Sequence, residues 1–164
     1  MRPEKLVLME PEFAYIAKEE ILRNIIKTHD VVLLLGWQGA GKTVSSLRAV
    51  KGLWTPYYFN ASEKTQGPDM RQHNKDVVAI GRLEDLPAGL SSDAVLIIDD
   101  FDEAAEKIVA AVEKMASARN FGGKIVITAQ AQPKLDNSGL KVDAVVRMKD
   151  DTAQVLYTRL LDIS

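Results

Sequence analysis

The chain has 164 residues, 46% of them hydrophobic, which is ample for the core of one domain and leaves no room for a second of ordinary size. With 21 basic and 23 acidic side chains the net charge is −2, so no global positive field points to nucleic acid or an anionic membrane, and any such contact must be local. The absence of cysteine excludes disulfides, thiol catalysis and cysteine-ligated zinc; with no apolar signal stretch in MRPEKLVLMEPEF and no run near the roughly 18 apolar residues of a span, the expectation is a soluble, cytoplasmic protein without membrane contact.

Pro11 opens an amphipathic stretch over 12–27, with Phe13, Ile16, Leu22, Ile25 and Ile26 on one helical face. VVLLL (31–35) follows, a β-branched and leucine run of strand length, and leads into GWQGAGKT (36–43). Behind Lys42, Val44, Leu47 and Val50 recur at helical spacing, and Gly52 supplies a stop. TPYYFN (55–60) reads as a strand. The segment 61–76 is long, polar and without periodicity, and Lys64, Arg71, His73 and Lys75 make it locally basic, as a solvated loop or a local nucleic-acid contact. VVAIG (77–81) predicts a short strand and AVLII (94–98) a buried one. A helix is predicted over 102–119, with Ala105, Ile108, Val109, Val112, Met115 and Ala116 on its buried side. KIVIT (124–128), DAVVRM (143–148) and AQVLYTRL (153–160) are three further strands. Strands apolar on both faces, alternating with helices, predict an α/β fold with a mainly parallel sheet and its ligand site at the carboxyl ends of the strands. His29 and His73 lack the spacing of a metal site or catalytic pair and read as structural or surface residues.

The stretch GWQGAGKT fits G-x-x-x-x-G-K-[ST], the P-loop pattern, and it sits between a predicted strand and a predicted helix as that pattern requires. Several backbone N–H groups must converge on phosphate oxygens, which needs glycines that turn tightly and place no Cβ in the way, and the helix N-terminus adds a favourable dipole. Gly36, Gln38, Gly39, Ala40, Gly41, Lys42, Thr43 and Val44 are the predicted nucleotide-binding residues. Lys42 is assigned to the β and γ phosphates and the Thr43 hydroxyl to Mg²⁺; Trp37 is given no role.

AVLIIDDFDE ends a fully apolar strand in two aspartates, where a carboxylate is costly to bury unless it meets a cation. Asp99 fits the Walker B position as a Mg²⁺ ligand, direct or through water, and Asp100 stands where a base would polarise the attacking water. Glu103 is a second candidate for that base, and Asp102 reads as a cap of the following helix.

Together these motifs and the polar-ended strand KIVITAQ resemble the additional-strand catalytic-glutamate (ASCE) class of P-loop ATPases, in which the extra strand lies between the two Walker strands. The resemblance implies a single three-layer α/β/α P-loop NTPase domain over 1–164, ATP with Mg²⁺, and a γ-phosphate sensor at Gln130 or Thr128, with Gln132 a further substitute. The stretch 118–136 and the following DAVVRMKDD are similar to HerA/FtsK DNA-pumping and viral genome-packaging ATPases, although that family's Thr-Gln pair is split here by Ala129. That pattern implies a homo-oligomer, nucleic acid as the moved partner, and Arg119 as a finger on a neighbour's γ-phosphate; a helix C-terminal cation is the competing reading of Arg119. The front half looks more like AAA+ or STAND ATPases, whose implied function is a nucleotide-dependent switch, alone or with a partner protein. The chain ends at Ser164 without the helical lid of AAA+ proteins, which favours a packaging-type or minimal core. GTPases fit worse, since Asp99 is followed by Asp100, Phe101 and Asp102 instead of D-x-x-G, and no arginine cluster marks a kinase lid.

Overall fold

The computed structural model describes residues 11–36, 41–62, 70–87, 90–118, 121–130, 140–149 and 154–158. The alternation of the strands builds the fold. In β1 (Val31–Gly36) every residue is buried, yet Val32 and Leu34 enter one apolar cluster while Val31, Leu33 and Leu35 enter another. A strand buried on both faces needs cover on both. The helices α1 (Pro11–Thr28) and α2 (Lys42–Ala49) supply Leu22, Ile25, Ile26 and Leu47 on one side, and α3 (Glu106–Ala118) supplies Ile108, Val112 and Ala116 on the other. Each large side chain so buried contributes about 1.5–3 kcal/mol relative to exposure.

The remaining strands are β2 (Thr55–Asn60), β3 (Val78–Ala79), β4 (Ala94–Asp99), β5 (Lys124–Ala129), β6 (Ala144–Lys149) and β7 (Gln154–Thr158). They form one sheet of order β3-β2-β4-β5-β1-β6-β7. All pairings are parallel except β6 with β7, as the short connection between those two requires. β5 lies between β1 and β4, the placement expected for the extra strand. The carboxyl ends of β1, β2, β4 and β5 therefore gather at one side of the sheet. The fold is α/β with a parallel six-stranded sheet extended by one antiparallel strand.

Several boundaries differ from expectation for identifiable reasons. The helix predicted from Asp102 begins at Glu106, because Phe101–Glu103 forms a 3-10 turn and Ala104 is extended at φ −74°, ψ 146°. Ala105 accordingly stands exposed before the helix instead of on its buried side. The strand predicted over 77–81 shortens to Val78–Ala79, an edge strand exposed at both residues, although Val77 itself is buried. Asp143 stands just outside β6, and its carboxylate Oδ2 accepts from the N–H groups of Asp30 and Val31 at 3.1 and 3.0 Å, tying the starts of β1 and β6 together. Gly52 lies in the turn that follows α2, with φ at +79°, while Val50 is the C-cap of the helix. The polar segment 61–76 contains a 3-10 turn at Met70–Gln72, and Asn74 is buried with its Nδ2 donating to Leu47 O at 2.9 Å, so this end of the loop is fastened to α2.

Candidate functional site

Gly41 is the N-cap of α2 with φ +87° and ψ 20°, a left-handed turn that suits glycine and leads directly from the glycine-rich loop into the helix. The next residue, Lys42, is 8% exposed, and its ammonium donates to Gly36 O at 2.6 Å, spanning the mouth of the loop from helix to strand. Burial lowers the Lys42 pKa, and the carboxylates of Asp99, Asp100 and Asp102 oppose that shift. The cation is thus within electrostatic reach of three acidic groups.

Asp99, the last residue of β4, is 8% exposed. Its carboxylate accepts three hydroxyls. Thr43 Oγ1 lies 2.8 and 2.9 Å from Oδ1 and Oδ2, Tyr58 OH donates to Oδ2 at 2.7 Å, and Thr128 Oγ1 donates to Oδ1. The donors come from α2, β2 and β5. Sheet register puts two of them there: Thr128 follows the Ile98–Ile127 pair, and Tyr58 pairs with Ile97, making it the diagonal neighbour of Asp99. Thr128 Oγ1 also accepts the Asp100 N–H at 3.2 Å, so one hydroxyl orders both acidic residues.

Asp100 takes φ 55° and ψ 45°, the single positive-φ residue other than glycine among the described residues. That conformation costs on the order of 1 kcal/mol, and such strain gathers where a side chain must be aimed. The turn swings the carboxylate off the strand axis, half-buried, with Asn60 Nδ2 3.5 Å from its Oδ2. Burial first, then the charges of Asp99 and Glu103, raise the Asp100 pKa, while the Asn60 amide lowers it. Asn60 is held in turn by Ser62, whose N–H and hydroxyl both donate to its Oδ1 at 2.9 and 2.6 Å.

The structure brings Gly36, Gly41, Lys42, Thr43, Asp99, Asp100 and Thr128 together, with Val44 in the first turn of α2. Gln130 follows β5 with its side chain exposed, and its backbone N–H donates to Asp102 Oδ2 at 3.1 Å. Asp102, expected to cap the helix, lies four residues before α3 and instead fastens the end of β5. Glu103 is exposed in the 3-10 turn. Gln38, Gly39, Ala40, Arg119 and Gln132 lie outside the described residues. Tyr58 and Asn60 were missed in the sequence because their roles depend on register with β4; alternation along TPYYFN, with polar groups at both positions, was the signal present.

The donor set suits a hard cation with few protein ligands. A hydroxyl that donates its proton to Asp99 keeps lone pairs for a metal, and Mg²⁺ retains several waters beside one carboxylate. No group of three or more His, Cys, Asp or Glu forms an all-protein metal cage among the described residues. No helix among them is long and apolar enough to cross a membrane. No protein-family model matches the chain, and no curated protein matches it.

Proposed function

We propose that the chain is a Mg²⁺-dependent P-loop ATPase core of the ASCE class. One observation carries the reading: Thr43, directly behind Lys42 in the phosphate-loop pattern, donates its hydroxyl to Asp99 at the end of β4, which brings the two motifs into contact across a sequence separation of 56. The position of β5 between β1 and β4 supports the ASCE assignment within P-loop NTPases.

In this reading Mg²⁺, when bound with the nucleotide, neutralises β and γ phosphate charge. Thr43 Oγ1 and Asp99 would hold it. Lys42 Nζ binds phosphate oxygens, and the backbone N–H groups at the start of α2 add the favourable end of the helix dipole. Asp100 orients the attacking water and accepts its proton at a carboxylate oxygen; its raised pKa makes it a better base than an ordinary aspartate. Thr128 fixes the backbone of that base through the Asp100 N–H. The likeness of 118–136 to DNA-pumping ATPases supports nucleic acid as the moved substrate and a homo-oligomer as the working form.

A second reading, a nucleotide-dependent switch with little turnover, draws on the Asn60 amide beside Asp100 Oδ2, which competes with water for the base. Steady-state phosphate release from MgATP, with and without DNA or RNA and at defined oligomeric state, separates the two. The ATPase reading predicts sustained release, stimulated by nucleic acid and abolished in EDTA. Tight nucleotide retention without release supports the switch. Mixing Asp100→Asn with Arg119→Ala tests a finger in trans: recovered activity supports the ring, and no recovery from a wild type active as a monomer rejects it.

A further inference from the structure

Asp99 is clamped from both of its neighbouring strands. Thr128 reaches it from β5 and Tyr58 from β2, one hydroxyl on each carboxylate oxygen. Thr128 belongs to a strand singled out by its polar end, whereas nothing in the phosphate-loop chemistry calls for Tyr58. Its ring is 8% exposed and packs in the cluster that contains Leu47, Val95 and Ile97, so the phenol has little freedom to move away. Because Tyr58 pairs with Ile97 and Asn60 with Asp99, the phenol crosses diagonally to the carboxylate on the same face of the sheet, at 2.7 Å.

We infer that Tyr58 is a positioning residue for the divalent cation: its hydroxyl fixes the plane of the Asp99 carboxylate, so that the metal held with Thr43 meets an oriented ligand. The inference rests on the phosphate-loop reading of the site. The terminal torsion of an aspartate is broad and two-fold, so a carboxylate held at one oxygen can still swing. A second hydroxyl from the opposite strand removes that motion. An ordinary tyrosine keeps its proton at neutral pH, so the phenol acts as a donor to the carboxylate. Hydrogen-bond partners of metal-ligating carboxylates typically change metal affinity by about 10–100-fold when removed.

Tyr58→Phe deletes the hydroxyl and keeps the ring. Two affinities are read on protein whose circular dichroism matches wild type: ADP in EDTA by calorimetry, and Mn²⁺ in the presence of ADP by electron paramagnetic resonance. The expected result is a rise of about 10–100-fold in the Mn²⁺ dissociation constant with ADP affinity in EDTA unchanged. A residue that only supports the core lowers both affinities or neither, so either pattern overturns the inference. Thr128→Val should weaken Mn²⁺ binding similarly and Thr128→Ser should restore it. Should Tyr58→Phe fail to fold, 3-fluorotyrosine at position 58 in the otherwise wild-type chain gives a ¹⁹F resonance that should shift when Mg²⁺ joins bound ADP; a resonance that stays in place contradicts the clamp. Wild-type protein that binds no ADP removes the phosphate-loop reading and this inference with it. Tight Mn²⁺–ADP binding by wild type, matched by Tyr58→Phe, removes the role of Tyr58 alone.

Discussion

The carboxyl ends of β4 and β2 lie side by side, with Asp99 opposite Asn60, and they serve the same two carboxylates in different ways. β4 supplies Asp99 and leads directly into Asp100, whereas β2 supplies the groups that hold them, Tyr58 on Asp99 and Asn60 on Asp100. Groups that touch ligand must have a particular chemistry at a particular spacing and so form a motif. Groups that hold them need only reach, and many residue types at several positions can do so. Removing either carboxylate should therefore abolish a step, while removing a β2 support should weaken it.

The largest contrast is in turnover. Asp100→Asn keeps the shape of the side chain and removes its proton acceptor, and phosphate release from MgATP should fall by about 10²–10⁴ while ATP still binds. If Glu103→Gln silences turnover and Asp100→Asn does not, the base is Glu103 and the comparison loses its first member. Next in size is the cradle: Lys42→Ala removes a charge-assisted contact of about 1.5–3 kcal/mol, so ATP affinity should fall roughly 10–150-fold in a folded protein. Unchanged affinity by calorimetry would remove the phosphate site altogether.

Asn60→Ala should have a smaller effect, with turnover changed by no more than about tenfold under the ATPase reading, because the hydrogen bond is long and only supports the base. Its signature is in pH. If Asp100 is the base, activity should need its carboxylate ionised and should be lost as pH falls through a pKa already raised by burial and Asp99. The Asn60 amide lowers that pKa, so Asn60→Ala should move the acid limb of the pH–rate profile upward. A downward or absent shift would mean that Asn60 does not hold the base.

The smallest effect concerns stability. Asp100 binds its proton more tightly folded than unfolded, so it opposes folding increasingly as pH rises above the unfolded carboxylate pKa, and the penalty is complete above the folded pKa. Asp100→Asn should stabilise the fold slightly at neutral pH, by less than about 1 kcal/mol since solvent screens a half-exposed group, and so raise the melting temperature. A lower melting temperature would show that the charge is better stabilised in the fold than its surroundings indicate.

The same division governs what could be read without coordinates. The strand VVLLL and the helix behind GKT were legible from their apolar periodicity, and the structure has a strand at Val31–Gly36 and a helix at Lys42–Ala49. The two aspartates at the end of AVLII were legible because a buried carboxylate demands a partner. The left-handed turn at Asp100 was not, nor was the 3-10 turn behind it, which with extended Ala104 delays α3 from Asp102 to Glu106, since helical periodicity reports the apolar face and not the turn that precedes it. Tyr58 looked like one more aromatic in a β-rich run until register with β4 set it diagonal to Asp99. Between Thr128 and Gln130 the sequence left two sensors open; the hydroxyl of Thr128 faces both aspartates, while the Gln130 side chain is exposed.

The meeting of Thr43 with Asp99 is the centre of the account, and the magnesium dependence of ATP affinity tests it most directly. Calorimetric titration of ATP into wild type, Thr43→Val, Asp99→Asn and the double variant, each with Mg²⁺ and with EDTA, forms a cycle in which only the metal-dependent gain is compared. Mg²⁺ should tighten ATP binding to wild type, each single change should remove most of that gain, and the double change should remove little more. Wild-type affinity indifferent to Mg²⁺, or losses that simply add across the cycle, would contradict a shared metal site between these two residues.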